Sequence, residues 1–109
     1  MSVRELKIGE YGKTIFVNAG VDLSTATSLE IEFIKPSGTV ETVAATLGNQ
    51  DVTGKDQNCN DVTFLANQYT FYIIPAGFID ESGCWLYRAL NELPGLFVPG
   101  DQGEFTVTE

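Results

Sequence analysis

Apolar residues in this chain come in short runs that alternate with polar ones, and Gly, Pro, Asn, Asp and Ser cluster between the runs. Side chains on a strand point to opposite faces in turn, so a period of two marks half-buried strands, where a period near 3.6 would mark helices. The period here is two. In residues 29–35, Leu29, Ile31 and Phe33 share one face while Glu30, Glu32 and Lys35 fall off it, with Ile34 breaking the polar side. The richest stretch is 68–91. There Tyr69, Phe71 and Ile73 oppose Thr70, Tyr72 and Ile74, and further on Trp85, Tyr87 and Ala89 oppose Cys84, Leu86 and Arg88. A bend of Pro75, Ala76 and Gly77, followed by Asp80, Glu81, Ser82 and Gly83, lies between the two runs, which read as a central strand pair. Each run offers one bulky set to a common core, and Trp85, the only tryptophan, is its expected centre.

The same pattern places strands at 3–11 and 14–18, joined by a turn at Tyr11-Gly12-Lys13. Lys35-Pro36-Ser37-Gly38-Thr39 reads as a type I turn in which Pro presets φ and Gly supplies the positive φ that follows. Residues 39–47 should therefore pair antiparallel with 29–34. The segment from Gly48 to Asp61 is almost wholly polar and reads as a long exposed loop, of a length uncommon in compact domains unless it has a role. Strand character resumes at 62–65. Pro94-Gly95 and Pro99-Gly100 mark turns around Leu96-Phe97-Val98, and the terminal strand 103–108 turns Phe105 and Val107 inward. Helix is expected at most as one short turn between Phe78 and Ser82. Roughly seven to eight short strands with turn residues between them define an all-β, antiparallel fold. An immunoglobulin-like β-sandwich and a small Greek-key barrel both fit that spacing.

A chain of 109 residues has the size of one domain, taken as 1–109, and can bury a core without disulfide or metal staples. No run approaches the ~18 apolar residues of a membrane span, and the first ten residues lack the charged-then-apolar form of a signal peptide. The expectation is a soluble chain that folds in a reducing cytoplasm. Its formal charge of −9, from 15 acids and 6 bases, argues against nucleic acid, whose phosphates are held by clustered Lys and Arg, and against anionic membranes. A basic protein partner is the complement it favours. Cys84, beside Trp85 on an expected strand, reads as a small semi-buried thiol, and Cys59 sits in the polar loop. A Cys59–Cys84 bridge stays open, but two cysteines make no disulfide framework.

Candidate chemistry is mostly excluded. Histidine is absent, which removes Ser-His and Cys-His nucleophiles and imidazole zinc sites. Gly95, Gly100 and Gly103 lack the strand-loop-helix context of a phosphate-binding loop. A glycosidase-like carboxylate pair needs two acids facing across a cleft, one of them buried. Glu30, Glu32 and Glu41, and Asp80 with Glu81, read instead as solvated surface. Asp56-Gln57-Asn58-Cys59-Asn60 begins like a calcium loop, but Asp61 stands where Gly is needed and Asn67 where a bidentate Glu is needed. Asp51, Asp56 and Asp61 remain as a non-standard calcium set against the reading of a polar loop tip. The expectation is no catalytic, cofactor or metal residue. Most aromatics recur at strand parity and read as core, while Tyr72, Phe78 and Phe97 divide evenly between core and a protein-facing surface.

Several motifs in order carry a resemblance. Asp22-Leu23-Ser24-Thr25-Ala26 opens a strand, Lys35 to Thr39 reads KPSGT, an aromatic strand at 69–74 precedes an acidic bend, Gly83-Cys84-Trp85 starts the next strand, and Phe105-Thr106-Val107 lies in the last. The chain from Ile8 onward resembles the immunoglobulin-like modules of tailed-bacteriophage virions, notably the N-terminal domain of phage baseplate upper proteins and related tail and neck components. It departs from them in the length of 48–61 and in stopping after the module. The resemblance implies an immunoglobulin-like sandwich and a noncatalytic virion structural protein, synthesised in the host bacterial cytoplasm. Its partners would be other virion proteins and further copies of itself in a symmetric ring or lattice. A tail, baseplate or neck position and a capsid decoration role are all compatible. Strands 3–11 and 103–108 are the expected edges for pairing between subunits. The rival expectation is an adhesion module that binds glycan or a host surface protein through 48–61 and 94–100.

Overall fold

The computed structural model describes residues 5–55, 60–100 and 102–109. Eleven strands follow in order: β1 (Glu5–Lys7), β2 (Thr14–Asn18), β3 (Ser28–Ile34), β4 (Val40–Ala44), β5 (Thr46–Leu47), β6 (Val52–Lys55), β7 (Asp61–Phe64), β8 (Tyr69–Ile73), β9 (Gly83–Leu93), β10 (Leu96–Pro99) and β11 (Gly103–Thr108). They make a six-stranded sheet in the order β1-β11-β9-β3-β4, with β10 also on β9, a three-stranded sheet β2-β8-β5, and the hairpin β6-β7. No helix occurs among the described residues.

The two larger sheets share one core. The first contributes Leu6, Ile31, Phe33, Trp85, Tyr87, Ala89, Phe105 and Val107, and the second Ile15 and Val17, with Tyr72 packed against them. Burial follows the parity of the sequence on β9, where Trp85, Tyr87, Ala89 and Asn91 are all buried. It follows it on β11, where Phe105 and Val107 point in. The Lys35 to Thr39 turn also forms as its residues require: Gly38 N–H donates to Lys35 O at 2.8 Å, Gly38 has φ +91°, and Lys35 N–H closes on Thr39 O at 2.9 Å.

Other expectations are corrected. The runs at 69–74 and 85–90 do not pair. β8 lies in the three-stranded sheet and β9 in the six-stranded one, and 74–82 crosses between them while sinking Ile74, Phe78 and Ile79 into the core. That burial draws the segment out, so the expected helical turn between Phe78 and Ser82 is absent. Residues 39–47 are two strands: β4 pairs with β3, then the chain switches sheets at Ala45 and β5 pairs with β8. Residues 48–61 are not a plain loop, because β6 forms within them and pairs antiparallel with β7, the strand expected at 62–65. With β10, these changes bring the strands among the described residues to eleven, against the seven to eight expected. The pairing is not antiparallel throughout either. β1 runs parallel to β11, Leu6 opposite Val107, so β11 is flanked on both sides and is no edge. The expected strand at 3–11 narrows to Glu5–Lys7, and its first two residues lie outside those described.

The hairpin explains the second parity of β8. Tyr72 and Ile74 serve the main core, while Tyr69 and Phe71 point the other way and meet Phe16 and Phe64. Phe64, from β7, stacks on Phe16 with centroids 5.6 Å apart. A small second cluster therefore covers the outer side of the three-stranded sheet. Tyr69 Oη donates to Gln50 O at 2.7 Å, and Gly48 lies so close to the Tyr69 ring that a Cβ there would overlap it.

Two expectations follow from packing. Gly48→Ala forces the Tyr69 ring aside and should cost about 1–3 kcal/mol, read from urea unfolding. Asn91 is fully buried, and neither amide atom finds a hydrogen-bond partner among the described residues. An unsatisfied buried amide costs about 1–3 kcal/mol, so Asn91→Leu, similar in shape, should raise Tm by several degrees. A fall in Tm in calorimetry would mean that the amide is satisfied.

Candidate functional site

The densest constellation of charge is built at the start of the β3–β4 turn. Lys35 follows the last residue of β3, and the turn behind it brings Glu41 back across on β4. Its Nζ donates to Asp80 Oδ1 at 3.0 Å and Oδ2 at 3.1 Å, and lies 3.3 Å from Glu41 Oε2. It also sits 5.5 Å from the centroid of the Trp85 ring, a cation over an aromatic face. One residue on, Glu81 accepts hydrogen bonds from Ser37 N–H at 3.1 Å and Ser37 Oγ at 3.0 Å, and its own carbonyl accepts from Trp85 Nε1 at 3.0 Å. The bond to Asp80 holds the Lys35 pKa above its ordinary value, against the opposing effect of desolvation. A lysine held charged in this way is a tie between elements and not a nucleophile.

The carboxylates singled out by sequence are thus partly brought together, but around a cation and not across a cleft. Glu32 is opposite Thr42 and Glu41 opposite Phe33, so these two acids leave opposite faces of the β3–β4 hairpin. Glu32 takes a bond from Arg88 Nε at 3.3 Å, and Glu30 stays exposed. Asp51 Oδ1 accepts from Ala66 N–H at 2.8 Å, which uses it locally. Asp56 and Cys59 lie outside the described residues, and with them the calcium-like loop start and the Cys59–Cys84 bridge. Among the described residues no group of three acids or cysteines could hold a metal ion. Cys84 is exposed, not semi-buried, and its thiol is 3.9 Å from Glu104 Oε2.

The three ambiguous aromatics separate. Phe78 is core, edge-on to Phe33 at 5.0 Å, and Tyr72 packs on both. Phe97 is 52% exposed. It belongs to β10, which the sequence shows only as an apolar tripeptide after Pro94-Gly95. Here Leu96 is 60% exposed, and β10 pairs only with β9 among the described residues. The opposite edge of the large sheet, β4, carries Val40 at 54% exposure. Of the two terminal strands expected as edges, β1 does lie at the end of the six-stranded sheet, whereas β11 is enclosed between β1 and β9, which sequence reasoning had no means of seeing.

Fold and site together define an all-β protein whose charged cluster ties its own turns and whose open strand edges carry apolar side chains. Comparison with protein-family models, curated proteins and solved structures finds no match for this chain.

Lys35→Met should cost about 1 kcal/mol at pH 7, since exposed and partly buried ion pairs contribute on that scale. The sign with pH follows from the raised pKa. The contribution of the charge is complete below the ordinary lysine value of 10.5 and fades as pH rises through the higher folded value. Unfolding curves of wild type and Lys35→Met should therefore stay apart from pH 6 to 10 and converge only in more alkaline solution, checked by denaturation at stepped pH.

Proposed function

We propose that this chain is a noncatalytic protein–protein assembly module, an immunoglobulin-like structural component of a tailed-phage virion at the tail, baseplate or head-to-tail neck. The observation that carries the reading is two edges, β4 and β10, that no further strand covers among the described residues, with Val40, Leu96 and Phe97 exposed on them. Edges are normally blunted by charge or cover, because their free backbone groups invite another strand. An assembly protein has reason to leave them open.

The strand order supports the immunoglobulin-like part of the proposal. Such sandwiches put the second, fifth and fourth framework strands in one sheet and the third, sixth and seventh in the other. The sheets β2-β8-β5 and β11-β9-β3 follow that scheme when β4, the β6–β7 hairpin and β10 are taken as additions, although β1, the first strand, lies beside β11 and not in the sheet of β2. The position of Trp85 differs, since the antibody-type tryptophan stands on the third framework strand and this one stands on β9.

The test is mass spectrometry and antibody labelling of purified phage particles from the producing host, with light scattering of the isolated protein. Stoichiometric presence in particles is the expected result, and absence from all particles overturns the proposal. An exposed aromatic within 94–100 also favours the adhesion reading. Glycan-array binding by an isolated monomer that never enters particles would select it.

A further inference from the structure

We propose that the free edge of β10 is a docking strand for an extended segment of a partner protein that alternates Lys or Arg with apolar residues. The inference deepens the assembly reading and rests on it, since it names the edge used and the chemistry of what is added there. β10 runs antiparallel to β9 from Leu93 back to Leu90, and β11 continues along the same side of β9 from Tyr87 to Gly83. β1 occupies the outer position only beside Glu5↔Thr106 to Lys7↔Thr108, at the far end. The outer position beside β10 holds no strand among the described residues. A segment laid there would add its backbone to the sheet, as strand-addition partners do.

The side chains say what kind of segment fits. β10 itself, Leu96-Phe97-Val98-Pro99, has no charge to repel a neighbour, and Leu96 and Phe97 are exposed. The residue opposite Phe97 is Glu92, exposed on the same outer face. Further along that face Leu86 is opposite Glu104, and Leu90 is opposite Glu30. Arg88, the one base of β9, is already held by Glu32. An added strand therefore meets apolar contacts at Leu96 and Phe97 with Glu92 one strand further in, for which no ion pair forms among the described residues, and opposite charges across strands stabilise pairing where like charges oppose it. A second copy would bring the same glutamates and another −9 of formal charge to the junction, which makes a basic partner the better complement.

The test uses the full chain and a capped octapeptide alternating lysine with valine. Its controls are a peptide of the same composition with lysines and valines in two blocks, and one alternating glutamate with valine. The expected result is saturable binding of the alternating lysine peptide alone, weakened by raising salt. Amide exchange should slow at Leu96, Phe97 and Val98. Phe97→Lys, which places charge on the edge as natural proteins do, should weaken binding by about 10-fold or more while leaving Tm near wild type. Should that variant not fold, Leu96→Lys takes its place. Equal binding of the block peptide, protection on β4 in place of β10, unchanged binding by the lysine variants, or self-association abolished by Phe97→Lys would each overturn the proposal. Presence in particles without peptide docking at β10 defeats this inference alone, whereas docking without particle association defeats the assembly reading.

Discussion

The indole of Trp85 is stacked on Phe105, with ring centroids 5.6 Å apart and 22° between planes, and meets Phe78 at 5.9 Å. Its apolar body can be buried freely, but its N–H needs an acceptor once it leaves water. Glu81 O supplies that acceptor. Because Glu81 lies in the segment that crosses between the two larger sheets, burying the tryptophan commits the crossover to fold back over the core. The crossover then delivers Asp80 to Lys35 and Glu81 to Ser37, which anchors the β3–β4 turn from 45 and 44 residues away in sequence. One buried ring thus sets the relation between the two larger sheets and the turn above them.

A second constraint comes from β8, which has large side chains on both faces. One sheet face can enter the main core; the other needs separate cover. The β6–β7 hairpin supplies it with Phe64, and Tyr69 reaches Gln50 O just before the hairpin. The polar stretch after β5 is therefore structural at its end and exposed along its course. Such a cover is a small satellite core, joined to the main one through β2 and β8.

The charged cluster is spent on internal ties, and β4 and β10 present backbone edges with the exposed apolar residues Val40, Leu96 and Phe97 along them. This arrangement is what the assembly role proposed above rests on. A cleft with facing carboxylates would have required Glu32 and Glu41 on one side of their hairpin, and the register places them on opposite sides.

Much of this was legible in the residues. The all-β class, the inward faces of 29–34, 85–90 and 103–108, the turn at Lys35 to Thr39 and the central place of Trp85 all follow from alternation and turn chemistry, which act between near neighbours. Of the β6–β7 hairpin only β7 was legible, as the strand expected at 62–65; β6 was not, because it lies in a polar run and its partner's anchor, Phe64, meets Phe16 and Tyr69 only after folding. Nor could alternation say that the chain would change sheets at Ala45 and again over 74–82, or that β1 would lie parallel on β11 while β10 keeps no outer neighbour among the described residues. Which strands meet is decided by contacts between residues distant in sequence. Local pattern gives each strand its faces, but only the closed core chooses its neighbours.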